Sequence, residues 1–116
     1  MIGILLVTHG TLGEALLQNV CHVLNKRPPL LMQLGVAAQD DPLDILPLAR
    51  RMVEQVDAGE GVLIMTDIYG ATPANVVLKL LEPGRIEAVT GVSLPMLLRA
   101  LTYREKGRET MVAQGV

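Results

Sequence analysis

Four short apolar runs rich in branched side chains recur along the chain, and each is followed by a segment whose apolar residues return at helical spacing. The runs cover residues 2–8 (IGILLVT), 30–36 (LLMQLGV), 62–66 (VLIMT) and 86–91 (IEAVTG). A continuous apolar run this short reads as a strand covered on both faces, as in a parallel sheet. Between them, residues 11–24 place Leu12, Ala15, Leu16, Asn19, Val20 and Val23 on one helical face, with Thr11 and Glu14 spaced as a capping box. Asp41-Pro42 opens a second helix with Ile45, Leu48, Ala49, Met52 and Val56 inward, residues 74–81 form a third before Pro83-Gly84, and Ser93 caps a fourth with Pro95 in its first turn. The strand–helix alternation predicts an α/β single domain: a mostly parallel doubly wound sheet of about four strands, flanked by helices and joined by right-handed crossovers.

At 116 residues the chain fits one domain, placed at residues 1–103 with a short charged tail at 104–116. Half of the residues are hydrophobic and only two are aromatic, so the core is aliphatic. Ten basic against twelve acidic residues, with no Lys/Arg cluster among aromatics, argue against nucleic acid. No apolar run approaches the ~18 residues of a membrane span, and the first run leads into His-Gly, not a small-residue cleavage site, so a cytoplasmic protein without membrane insertion is expected. The single Cys21 has no internal disulfide partner and reads as a packing residue, and two histidines and one cysteine far apart make no zinc site.

Ligands and reactive groups of an open α/β sheet gather at the C-terminal ends of its strands. Here those ends read THGT, TDIYGATPAN and TGVSLP, which puts His9, Asp67, Thr72 and Ser93 on one edge. Each has an ordinary alternative: a histidine at the surface, an aspartate closing a loop, a Thr-Pro starting a helix, a Gly70 supplying positive φ. Taken together they read as a phosphohistidine site. A neutral imidazole is a nucleophile when one nitrogen keeps its proton and the other faces outward, and a carboxylate such as Asp67 accepting from the ring fixes that tautomer. The phosphoryl group then needs donors, which backbone N–H groups at Gly10, Thr11, Gly70, Ala71 and Thr72, with the Thr72 hydroxyl and Ser93, supply without a lysine. His22 lies off the apolar face of its helix and reads as a solvated residue. No metal or cofactor is called for.

The segments THGTLGEALL, TDIYGATPANV and GVSLPMLLRAL, in this order between residue 1 and about residue 103, resemble the EIIA domain of the mannose family of the bacterial phosphoenolpyruvate:sugar phosphotransferase system. The resemblance implies that His9 is the phosphoacceptor, that Asp67 is the family's strand-end aspartate, and that Thr72 contacts the phosphoryl group. It also implies phosphate from the carrier HPr, delivery to an EIIB domain, and a homodimer. The short tail departs from the family, which usually continues into a further helix and strand.

Other readings fit the residues less well. A receiver domain needs an acidic pair after the first strand and a lysine at the last, where this chain has THG and TGVS. A dinucleotide site needs G-x-G-x-x-G, and HGTLGE offers one Gly-x-x-Gly pair. A stand-alone regulatory sensor of phosphorylation, acting by docking, would keep the same histidine. So would the phosphotransfer subunit of dihydroxyacetone kinase, although such subunits more often carry Ser where Gly10 stands.

Overall fold

The computed structural model describes residues 1–67 and 72–104. The elements follow the order β1 (Gly3–His9), α1 (Leu12–Leu24), β2 (Leu31–Val36), α2 (Pro42–Val56), β3 (Val62–Thr66), α3 (Thr72–Leu78), β4 (Ile86–Val89) and α4 (Leu94–Tyr103). The strands pair in parallel in the order β2-β1-β3-β4. The chain therefore winds one way from β1 to β2, then crosses β1 and builds outward from its other side, which is the doubly wound arrangement expected from the alternation.

Alternation of side chains along the strands divides the interior into two layers. Leu5, Val7, Leu34, Val36, Val62 and Ile64 pack with Ala49, Val53 and Val56 of α2 and Val76 and Val77 of α3. Ile4, Leu6, Leu31, Leu63 and Met65 face the other way, onto Leu16 and Val20 of α1 and Leu97 and Ala100 of α4. Leu5, Leu6, Leu63 and Ile64 are wholly buried, each worth roughly 1.5–3 kcal/mol of apolar transfer. A side chain at Gly3 would collide with the carbonyl of Val56, so the first residue of β1 must be glycine for the end of α2 to reach the sheet.

The start of α1 differs from the expectation. Thr11 makes no side-chain capping bond, and its φ of −100° and ψ of 8° lie outside the extended region that a capping side chain requires. The bond comes from the preceding strand instead: Thr8 Oγ1 accepts from the Gly13 N–H at 2.8 Å. The helix is also rotated from the face read in the sequence. Gly13, Leu16 and Val20 are buried, while Leu12 is 40% and Val23 55% exposed.

The other helix starts agree with the sequence. Asp41 Oδ1 accepts from Leu43 N at 2.9 Å with Pro42 behind it, and Ser93 Oγ accepts from Met96 N at 3.3 Å. Helix α3 begins at Thr72, earlier than expected, and closes at Leu78, where Lys79 N and Leu80 N bond back three residues to Val76 O and Val77 O. Strand β4 ends at Val89 because Gly91, with φ of 77°, turns toward β3. The tail expected at 104–116 lies outside the described residues from residue 105 onward.

Candidate functional site

The point where the winding reverses lies between β1 and β3, and the helices that follow these two strands, α1 and α3, lie on opposite faces of the sheet. His9 ends β1, and Asp67 immediately follows β3. Their contact is direct and double. Asp67 Oδ2 lies 2.9 Å from His9 Nδ1 and accepts the His9 backbone N–H at 3.0 Å. One carboxylate oxygen thus holds both the main chain and the ring of the same residue. As a carboxylate acceptor it favours the tautomer with the proton on Nδ1, which leaves the Nε2 lone pair free. The side chain of His9 is 40% exposed and that of Asp67 only 9%, so the ring is open to solvent while the carboxylate that holds it is sheltered.

The turn beyond His9 is fixed from two sides. Gly10 adopts φ of 51°, a conformation suited to glycine, and donates its N–H to Val36 O at 3.0 Å. Its carbonyl sits against Gly35 of β2, where any side chain would collide with it. Since the Gly10 N–H is committed to the sheet, donors for an anion at this turn are those of Thr11 and Leu12. Both residues are exposed, and their N–H groups stand outside the backbone bonds formed among the described residues.

Val92 N bonds to Thr66 O and Gly91 N to Asp67 O, both at 3.0 Å, and this brings the start of α4 to the same edge. Thr11, Thr72 and Ser93 thus lie at the heads of α1, α3 and α4, with Thr72 half-buried and Ser93 exposed. Gly70 and Ala71 lie outside the described residues. The sequence of this edge has acidic residues at 40, 41 and 67 but no Lys or Arg in 9–12, 37–41, 67–72 or 90–93, so hydroxyl and N–H groups are the donors available to an anion. His22 is exposed on α1 and Cys21 half-buried.

A known family matches nearly the whole chain. Residues 3–114 fit the EIIA-man family, described as the PTS system fructose IIA component. The chain belongs to this family. YadI of Escherichia coli (strain K12), whose name provisionally assigns it as a phosphotransferase enzyme IIA component, is 33% identical over 92 residues, which cover 76% of this chain and 63% of YadI. The crystal structure of EIIA from Streptococcus agalactiae superposes with a TM-score of 0.84 at 24% identity, covering 97% of this chain and 88% of that one. The mannose/sorbose-specific IIA subunit from Enterococcus faecalis gives a TM-score of 0.83 at 20% identity, with 97% and 85% covered. At these identities the two structures establish a shared fold. Among the described residues no helix is long and apolar enough to cross a membrane, and no group of His, Cys, Asp and Glu is arranged to hold a metal.

Two further residues shape the site, Thr8 within β1 and Gly35 within β2. The sequence marks Thr8 only as part of its strand, whereas a glycine inside a branched apolar strand, as at Gly35, signals close backbone approach.

Proposed function

We propose that this EIIA-family chain is a cytoplasmic phosphoryl relay of a sugar phosphotransferase system, in which His9 takes a phosphoryl group from phospho-HPr and yields it to an EIIB domain. The observation that carries the reading is the 2.9 Å contact between Asp67 Oδ2 and His9 Nδ1 on a ring that remains 40% exposed. The Nε2 lone pair attacks phosphorus, a new N–P bond forms, and the N–P bond of the donor breaks with its electron pair returning to the donor imidazole. No net proton is taken up, because Nδ1 keeps its proton throughout. Asp67 orients the ring and offsets the positive charge that develops on it.

The transferred group is received by backbone N–H donors at Thr11 and Leu12 and by the Thr72 and Ser93 hydroxyls. A cradle without a cationic side chain holds the phosphoryl group by directed dipoles, which suits a carrier that must release it again.

Incubation with phosphoenolpyruvate, enzyme I and HPr, followed by intact-protein mass spectrometry, tests the assignment. One acid-labile, base-stable phosphoryl group is expected on the wild type and on His22→Ala, and none on His9→Ala. Undiminished labelling of His9→Ala overturns it.

A further inference from the structure

The residue immediately before His9 is buried and polar, and its hydroxyl is committed to the far side of the turn. Thr8 is 0% exposed, and its Oγ1 accepts from Gly13 N–H at 2.8 Å. The bond closes a loop that contains His9, Gly10, Thr11 and Leu12. A cap from Thr11 would tie the first turn of α1 only to itself. A cap from Thr8 ties that turn to β1, the strand whose last residue is His9.

Gly13 is adapted to this arrangement. A Cβ there would lie 2.9 Å from Thr8 Oγ1 and 3.2 Å from the Gln33 side-chain oxygen, so only glycine lets the first turn of α1 descend onto the strand hydroxyl. The two sides of the His9 turn are thereby held independently: Asp67 grips the backbone N–H and ring of His9, the Val36 carbonyl takes the Gly10 N–H, and Thr8 fixes where the helix begins.

We infer that Thr8 is a positioning residue for phosphoryl transfer: through Gly13 it sets the place of the Thr11 and Leu12 N–H groups relative to the His9 ring. The inference rests on the phosphohistidine reading above, since those N–H groups matter only if His9 carries an anion. Thr8 touches neither the phosphoryl group nor the ring. It acts by holding the donors where the transferred group arrives, and misplacement of such groups by about an ångström is enough to cost up to 10²-fold in rate.

Thr8→Ser and Thr8→Ala test this as a pair, because both remove the methyl group and only Ser keeps the hydroxyl. In the unphosphorylated full chain, amide hydrogen exchange is expected to show Gly13 protected in wild type and Thr8→Ser and unprotected in Thr8→Ala. With phospho-HPr as donor, Thr8→Ser is expected to phosphorylate at close to the wild-type rate. Thr8→Ala is expected to lose roughly 10-fold to 100-fold in maximal rate with little change in the KM for the donor, the split that marks an interaction made in the transition state.

Thr8→Ala that folds, loses Gly13 protection and yet transfers at the wild-type rate overturns the inference. So does loss of the fold in Thr8→Ala but not in Thr8→Ser, which makes the hydroxyl structural only. A wild-type chain that takes no phosphate overturns the relay reading and the positioning role with it, and the Gly13 exchange result then reports the cap alone, so the two failures are told apart.

Discussion

One oxygen of Asp67 accepts from both the backbone nitrogen and the ring Nδ1 of His9, at 3.0 and 2.9 Å, although 58 positions separate the residues. Two bonds to one acceptor fix more than ring orientation. The backbone bond sets where the end of β1 lies relative to β3, so the ring bond is made by a group already in place and little motion is left to arrest.

The double contact predicts a graded response at position 67. In Asp67→Asn the amide oxygen can still accept from both donors, so geometry is largely kept and the missing quantity is negative charge. Asp67→Ala loses both. We expect single-turnover phosphorylation to fall by on the order of 10 to 10² for Asn and 10² to 10³ for Ala, the range of positioned polar groups. Circular dichroism should report a folded protein in each case. Equal rates for the wild type and Asp67→Ala would mean that something else orients His9.

At the opposite edge of the sheet, Asp57 is expected to control stability and leave transfer untouched. Its Oδ1 accepts from Gly59 N at 2.8 Å and Gly61 N at 3.2 Å, and its Oδ2 lies 3.0 Å from Arg85 Nη2. The Gly59 N–H above all, then the Gly61 N–H and Arg85, hold the carboxyl below its ordinary value of 3.8 against the opposing effect of burial. A carboxyl whose value is lowered by folding contributes stability above its unfolded value and loses that contribution as pH falls through the folded one. Asp57→Ala should therefore destabilise by about 1–2 kcal/mol at pH 7. The gap between urea midpoints of variant and wild type should narrow below about pH 4. A gap independent of pH would assign the loss to packing.

We propose a homodimer in solution, as the family resemblance implies. Leu43, Leu78 and Val23 are 67%, 54% and 55% exposed in a chain whose small interior cannot cover all of its apolar residues. Light scattering at micromolar concentration should return twice the chain mass. A monomer mass across that range contradicts the expectation.

Much of this architecture was legible because buried parallel strands and capped helices leave strong local signals. Four branched runs located the strands, and Asp41-Pro42 and Ser93 located two helix starts to within a residue. The placement of His9 and Asp67 on one edge also followed, because strand ends in a doubly wound sheet share an edge whatever the side chains are. What failed was information held between elements. Thr11 and Glu14 have the spacing of a capping box, but the positive φ of Gly10 and the reach of Thr8 from β1 gave the cap to another residue. The buried face of α1 turned for a related reason: Gly13 had to meet the strand hydroxyl, which swung Leu12 and Val23 outward. Helical spacing alone cannot distinguish two adjacent apolar stripes on one helix.

In the proposed relay Asp67 holds the proton on Nδ1 and leaves Nε2 as the attacking atom. Nitrogen-15 and phosphorus-31 NMR of the chain after phosphorylation by phospho-HPr tests it most directly, because the coupling pattern identifies the ring nitrogen that bears phosphorus. A single phosphohistidine is expected, at His9, with the N–P bond on Nε2 and the proton retained on Nδ1. Phosphorus on Nδ1 of His9, or on any other residue, would contradict it.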